Sequence, residues 1–102
     1  MTPESVPAAF ERLMGCTEED LLRALPSALP EARIEVGAAG TDLTATFSDG
    51  TLALAWRKAS EFRIGLLRIP RLEVRFEYVG LTPDRRRLVQ RRFDLATQRG
   101  GG

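Results

Sequence analysis

The chain has 102 residues, with 15 basic and 14 acidic side chains and a formal net charge of +1. That length fits one domain with a single core. A hydrophobic fraction of 43% and a charged fraction of 28% are ordinary for a folded globular protein. Because the charges nearly cancel, the net charge points to neither nucleic acid nor a membrane as the partner.

The residue types that are missing exclude several kinds of chemistry. The chain has no histidine and one cysteine, Cys16. Nucleophilic catalysis by a Ser–His or Cys–His pair is therefore excluded within this chain. A zinc site of imidazole and thiolate ligands is excluded for the same reason, and a lone cysteine cannot form an internal disulfide.

The hydropathy pattern gives no sign of a membrane protein. The longest apolar runs are strand-sized, well short of the roughly 20 residues that a spanning helix needs. The first residues lack the basic and apolar regions of a secretory signal. We therefore expect a cytoplasmic protein with no membrane partner and no cofactor.

The composition along the chain predicts three parts. Residues 1–7 contain two prolines and little to bury, which indicates a flexible N-terminal arm. Residues 8–98 carry the periodic apolar pattern of a single α+β domain. Residues 99–102 end in three glycines and predict a flexible tail.

The first half of the domain predicts one helix and several strands. Residues 8–14 fit a short strand. A helix follows from Thr17, a good N-cap with acidic residues in the first turn, and we expect Pro26 and Pro30 to end it. Residues 33–36 alternate as a strand, and residues 37–40 form a glycine-rich turn.

The clearest local prediction is a hairpin. Residues 42–48 and 51–57 alternate between apolar and polar side chains, and Asp49-Gly50 between them is a favoured two-residue hairpin turn. The alternation directs Trp56, the only tryptophan, into the core.

Residues 60–69 fit two structures. Phe62, Ile64 and Leu66 alternate as in a strand, whereas Phe62, Leu66 and Ile69 have helical spacing. The strand is favoured because Gly65 disfavours a helix. We expect Pro70 to interrupt this segment before a regular strand over residues 71–79.

The last element predicts a helix that starts at Thr82, with Pro83 in the first helical position. Leu88, Val89, Phe93 and Ala96 form its predicted apolar stripe. The helix fades near Gln98, before the glycine tail.

These elements predict an α+β fold, a two-layer sandwich with a mainly antiparallel sheet of four to six strands and two helices on one face. The other face stays in water, as an antiparallel sheet allows. Its side chains would be polar and charged: Arg33, Glu35, Thr44, Thr46, Arg71, Glu73, Arg75 and Glu77.

The charge is unevenly distributed along the chain. Residues 1–56 hold three arginines and nine acidic residues, whereas residues 57–102 hold twelve basic and five acidic residues. The two halves could neutralise each other within one molecule. They could also attract a second copy, or the basic last helix could bind phosphate groups.

Catalysis is not favoured by the remaining candidates. Cys16 lies at a helix start but beside Glu18, Glu19 and Asp20, which disfavour a thiolate, so a buried and inert thiol is expected. Paired acids such as Glu73 and Glu77 alternate with arginines on a solvent face, which is typical of surface ion pairs.

The sequence therefore favours a small non-enzymatic association module, either homo-oligomeric or protein-binding. Nucleic-acid or phosphate binding through the C-terminal arginines is the alternative, and an enzyme that uses carboxylates or Cys16 is a third. The candidate interaction residues lie on the open sheet face and on the last helix: Arg71, Glu73, Arg75, Glu77, Arg86, Arg87 and Arg91. No catalytic or metal-binding residue is predicted.

Overall fold

A computed structural model describes residues 5–98, which form five strands and two helices. Residues 1–4 of the predicted N-terminal arm and the predicted tail, 99–102, lie outside the described residues. The elements in chain order are β1 (Ala9–Met14), α1 (Glu18–Ala28), β2 (Arg33–Val36), β3 (Asp42–Thr46), β4 (Thr51–Ile64), β5 (Leu67–Val79) and α2 (Pro83–Gln98).

The five strands form one sheet in the order β1-β5-β4-β3-β2, and every neighbouring pair is antiparallel. Strands β2 to β5 follow one another as consecutive hairpins, whereas β1 returns to lie beside β5. Helix α1 therefore links one edge of the sheet to the other. The predicted α+β class and the antiparallel sheet are confirmed.

Both helices bury their apolar sides against one face of the sheet. Phe76 on β5 is fully buried at the centre, with the Phe93 ring of α2 edge-on at 5.2 Å and the Phe10 ring stacked at 4.6 Å. Trp56 and Tyr78 also lie in this core, as the alternation predicts.

The start of α1 follows the prediction, and the helix ends at Ala28, two residues before Pro30, but Pro26 does not end it. The Thr17 hydroxyl accepts a hydrogen bond from the Asp20 amide, and the Asp20 carboxylate accepts one from the Thr17 amide. The helix then continues through Pro26 to Ala28. A proline in the last turn removes a single helical hydrogen bond, and the burial of Leu25 and Ala28 on either side of it favours the helical path.

The β3–β4 hairpin is confirmed, but its turn lies one residue earlier than predicted. Thr46 pairs with Thr51, and the Phe47 amide donates to the Gly50 carbonyl at 2.8 Å, which leaves Ser48 and Asp49 as the loop. Gly50 is instead required by a close approach of two backbones. A Cβ at this position would lie 2.4 Å from the carbonyl oxygen of Val79.

Residues 60–69 form strand on both sides of a Gly65-Leu66 turn, as favoured, but Pro70 does not interrupt β5. Proline cannot donate to a strand ladder, and here β4 bulges opposite it. The carbonyl oxygen of Ser60 in this bulge accepts a hydrogen bond from Arg71 Nε at 2.7 Å.

The buried side of α2 also differs from the prediction. Val89 and Phe93 are buried, but Leu88 is 53% exposed and Gln90 is buried in its place. The amide of Gln90 has partners there, since its Oε1 accepts from the Tyr78 hydroxyl at 2.7 Å and its Nε2 donates to Asp94. No helix within residues 5–98 is long and apolar enough to cross a membrane.

Candidate interaction surface

The sheet face opposite the helices carries four of the seven residues that the sequence predicts for interaction. We call it the helix-free face and define it by the side chains that alternate with the buried ones on the five strands. In β5, Arg75 and Glu77 are exposed, and Arg71 and Glu73 are half-buried, while the residues between them lie in the core. The structure therefore places all four residues on one face, as the alternation predicts, but only Arg75 and Glu77 are fully exposed there.

Neighbouring strands add both small and charged side chains to this face. By register, Ala53 and Ala55 of β4 lie beside Glu77 and Arg75, and Glu11 of β1 lies opposite Arg75. The charged members are Glu11, Arg33, Glu35, Asp42, Arg57, Arg71, Glu73, Arg75 and Glu77. Leu13 is 50% exposed and adds a large apolar side chain.

Two grooves cross the helix-free face. The larger has a volume of about 570 Å³, with Arg57, Arg71 and Glu73 among its lining residues. The smaller has a volume of about 320 Å³ and is lined in part by Glu11 and Arg75. Both grooves are open to solvent, and charged side chains contribute to their lining.

Some of these charges already have partners. Arg57 donates two hydrogen bonds to the Glu73 carboxylate, at 3.1 and 3.2 Å, which raises the pKa of Arg57. Arg71 donates to the Ser60 carbonyl. Both contacts hold the side chains along the sheet, so they shape the grooves.

The three predicted interaction residues of α2 have different surroundings. Arg86 is half-buried and donates to the carbonyl oxygens of Val6 and Leu81, at 2.9 and 3.1 Å. Arg87 is exposed and reaches Asp84 at 3.4 Å, and Arg91 is exposed. Arg86 therefore ties residues 5–7 to the helix, a role that the helical pattern did not reveal.

Ion pairs join the acidic and basic halves of the chain. Asp49 pairs with Arg85 at 2.8 Å, and Glu31 pairs with Arg92 at 2.8 Å. Arg12, a basic residue of the acidic half, pairs with Asp94, an acidic residue of the basic half. The pairs Asp49–Arg85 and Glu31–Arg92 thus neutralise part of the charge imbalance within the molecule, and the arginine of each pair lies on α2.

The titratable groups with shifted pKa values have structural causes. Burial raises the pKa of the Cys16 thiol above its ordinary value, and the nearby Asp20 raises it further. Cys16 is 8% exposed, so the predicted burial is confirmed. Burial likewise raises the pKa of Tyr78, whose hydroxyl is bonded to Gln90. Residues 5–98 contain no group of three or more Cys, Asp or Glu side chains placed to hold a metal ion.

One exposed feature was not predicted as a site. The β4–β5 hairpin extends beyond its neighbouring strands and carries exposed apolar side chains at Phe62 (47%), Ile64 (55%), Leu66 (103%) and Leu67 (65%). Their alternation is also typical of a half-buried strand, and only the lengths of the flanking strands show that no neighbouring strand within residues 5–98 covers them.

Comparison with known proteins adds no assignment. No protein-family model matches the chain, and no curated protein matches it either.

Proposed function

We propose that this protein is a small non-enzymatic association module that forms homo-oligomers through its helix-free face. The observation that carries the proposal is that this face, five strands wide, has no covering helix within residues 5–98 and is crossed by two charged grooves. A charged antiparallel sheet is stable in water without a partner. The larger groove also borders Leu13, a half-exposed apolar side chain that contact with another protein would remove from water.

The arrangement of charge supports a second copy as the partner. The face carries side chains of both signs, including the neighbouring pair Glu11 and Arg75. In a two-fold dimer the same patch meets itself, so residues of one sign can face residues of the other. Such complementarity fixes the register of the contact and excludes other partners.

The alternative, phosphate binding through α2, has less support. Arg85, Arg86 and Arg92 are engaged with Asp49, two backbone carbonyls and Glu31. Phosphate contacts would have to compete with these bonds. Because the single cysteine cannot form an internal disulfide, we include a cytoplasmic location in the proposal.

The test is the solution mass by light scattering after gel filtration, at low and high salt, with the 260/280 nm absorbance ratio recorded on the same peak. We expect a dimer or larger species that carries no nucleic acid. High salt should increase its dissociation. A monomer at all concentrations and salts would overturn the homo-oligomer. Nucleic acid that elutes with the protein and is removed by salt would favour the α2 alternative.

Matched charge reversals distinguish the two surfaces. Arg75→Glu reverses a charge at the centre of the helix-free face, and Arg91→Glu makes the same reversal at an exposed position of α2. We expect Arg75→Glu to raise the dissociation constant about tenfold or more, because like charges then meet, and Arg91→Glu to leave it unchanged. The reverse result would move the interface to α2.

A further inference from the structure

The β4–β5 hairpin projects from the sheet as a two-stranded ribbon, which we define as residues 59–71. Pairing with β3 ends at Ala55 and pairing with β1 ends at Leu72, so no other described strand pairs with the ribbon. At its tip Gly65 has φ +58° and Leu66 has a negative φ, as in a type II′ turn. The ribbon therefore ends in a narrow, convex tip.

The exposed apolar side chains of the ribbon are concentrated at this tip. Leu66 is fully exposed in the turn, and the cross-strand pair beside it, Ile64 and Leu67, is 55% and 65% exposed. Phe62 lies two residues behind Ile64, or about 7 Å at about 3.3 Å per residue, and is also exposed. Four large apolar side chains are thus in water at one end of the molecule.

A bulge in β4 decides to which side of the ribbon these residues point. Ala59 pairs with Arg71 and Phe62 with Ile69, so two residues of β4 oppose Pro70. The extra residue reverses the alternation of β4. Phe62 and Arg71 therefore point to the same side, and the Arg71 guanidinium lies 5.8 Å from the centre of the Phe62 ring. The ribbon is amphipathic as a result, with its apolar pairs on one side.

The charge of the ribbon is basic and lies directly behind the tip. Arg63 and Arg68 are opposite each other, one step behind the last apolar pair, and no ion pair among the described residues includes either of them. Like charges in opposite positions of a strand pair repel each other. Glu61 is the one acidic residue of the ribbon, against three arginines. The apolar tip is thus bordered by positive charge that the chain itself does not neutralise.

We propose that the tip of the ribbon inserts into the surface of an anionic lipid bilayer. Leu66 and the pair beside it leave water for the boundary between headgroups and acyl chains. Arg63 and Arg68 then lie at the level of the lipid phosphates, which their long side chains can reach. Because headgroups surround an inserted tip on every side, both arginines meet anionic charge although they point away from the apolar side.

The convex shape of the tip favours lipid over a protein or nucleic acid. An apolar anchor in a protein interface fills a matching pocket, and a fully exposed side chain on a turn would need a deep one. A lipid surface accepts an apolar wedge without such a pocket. A protein that covered only the apolar side would leave the two arginines repelling each other, and a nucleic acid bound to the arginines would leave the tip in water.

The dimensions of the ribbon limit the contact to the membrane surface. Interfacial elements bury their apolar side about 5–10 Å deep, and the distance of about 7 Å from Ile64 back to Phe62 lies within this range. Deeper insertion would deprive the unpaired N–H and C=O groups along both edges of the ribbon of water. The contact is therefore peripheral and requires no spanning segment.

Most of the acidic residues that would oppose this contact lie far from the tip. Glu73 is six residues from Leu67 along β5, or about 20 Å at about 3.3 Å per residue, and it is paired with Arg57. Glu61 is nearer, about 10 Å behind Ile64. The Debye length is about 8 Å at physiological ionic strength, so repulsion from both carboxylates is screened.

This inference goes beyond the proposed function and does not depend on it. Insertion of the tip leaves Arg75 and Glu77 free for the proposed contact between copies. The expectation of no membrane partner follows from the lengths of the apolar runs and from the net charge. Neither of them describes which side chains the fold brings together at one tip.

The first experiment measures how much protein sediments with vesicles of equal parts phosphatidylglycerol and phosphatidylcholine. Leu66→Ser/Leu67→Ser changes the tip, and Leu88→Ser/Leu95→Ser changes exposed leucines of α2, at 53% and 57%. We expect the tip variant to lower the lipid partition coefficient at least tenfold, because it removes the inserted apolar area, and the α2 variant to leave it unchanged. Circular dichroism checks that both variants are folded.

The second experiment tests the charge. Arg63→Gln/Arg68→Gln changes the ribbon, and Arg87→Gln/Arg91→Gln removes two exposed charges from α2. We expect the ribbon variant to bind the same vesicles about tenfold more weakly and the α2 variant to bind like wild type. Vesicles of phosphatidylcholine alone should bind wild type at least tenfold more weakly, and high salt should weaken binding to the anionic vesicles.

The third experiment tests insertion itself. Leu66→Trp places an indole at the tip, and Leu88→Trp places one at an exposed position of α2, while Trp56 is 5% exposed and contributes equally in both. We expect the vesicles to shift the emission of the tip variant to shorter wavelength and brominated lipids to quench it. The α2 variant should show neither effect.

The outcomes are independent of the proposed dimer, which Arg75→Glu tests. Wild-type protein that stays in solution at low salt, or a Leu66/Leu67 variant that sediments like wild type, would overturn the inference. Binding lost only in the Arg87/Arg91 variant would assign the contact to α2. Binding of single-stranded DNA that requires the ribbon arginines, without sedimentation on vesicles, would replace the lipid by nucleic acid.

Discussion

The indole Nε1 of Trp56 donates a hydrogen bond to the Glu18 carboxylate at 2.6 Å. Trp56 lies on the central strand β4 and is 5% exposed, and Glu18 is the first residue of α1. A buried indole N–H needs an acceptor. The contact therefore satisfies the indole and fixes the start of α1 above the sheet.

Removal of this acceptor should destabilise the fold measurably. We expect Glu18→Ala to lower the free energy of unfolding by about 1.5–3 kcal/mol, the range for hydrogen bonds to charged groups. Urea titration followed by the fluorescence of Trp56 measures the change. Glu19→Ala is the matched control, because it removes the same charge from the same helix turn. It breaks only an exposed ion pair with Arg23, so we expect it to lower the free energy of unfolding by about 0.3–0.5 kcal/mol. Equal losses in the two variants would contradict a specific role of the Trp56 contact.

The close approach of two backbones at Gly50 gives a steric prediction. An added Cβ would lie 2.4 Å from the Val79 carbonyl oxygen and 2.8 Å from the Leu81 amide nitrogen. We expect Gly50→Ala to lower the free energy of unfolding by about 2 kcal/mol or more, since backbone atoms cannot move aside as a side chain can. Gly15→Ala, whose Cβ would meet only Ile69 Cγ2 at 3.7 Å, should change stability little. Thermal unfolding compares the two variants.

Much of the fold was predictable because its signals are local. The cap at Thr17, the Pro83 helix start and the two-residue period of β5 each depend on neighbours in sequence, and each is observed. The position of the β3–β4 turn was not predictable, because Asp49-Gly50 is a favoured turn pair although the chain turns at Ser48 and Asp49. Glycine is required at position 50 for a different reason, the close approach of Gly80, which lies thirty residues away in sequence.

The candidate surface was predictable only in part. Alternation is enough to place Arg75 and Glu77 together on an exposed face. Alternation cannot show that β4 and β5 extend beyond the neighbouring strands. That extension depends on where pairing with β3 ends, at Ala55, and where pairing with β1 ends, at Leu72. The surroundings of Arg86 were hidden for a similar reason, since a helical pattern does not tell which distant backbone carbonyl, here that of Val6, lies over it.

The ion pair between Asp49 and Arg85 predicts a pH effect with a definite sign. The hydrogen bond from Arg85 lowers the pKa of the Asp49 carboxyl below its ordinary value of 3.8. Its contribution to stability is therefore present above about pH 4 and is lost as the pH falls through the lowered pKa of the folded protein. We expect an NMR titration to show that Arg85→Gln raises the pKa of Asp49 towards the ordinary value. Arg87→Gln, which removes the pair with Asp84, should leave Asp49 unchanged.

The burial of Cys16 predicts a thiol that reacts slowly with Ellman's reagent. Reaction requires access and the thiolate form, and here the thiol is 8% exposed with a raised pKa. We expect native Cys16 to react about 100-fold or more slowly than an exposed thiol, since the site must first open. The comparison is Cys16→Ala/Ser60→Cys, which moves the single thiol to an exposed position of β4. The two proteins should react at equal rates in urea above the unfolding transition, where burial is lost. Fast reaction of Cys16 in the native protein would show that the loop before α1 opens readily and that the thiol is available for chemistry.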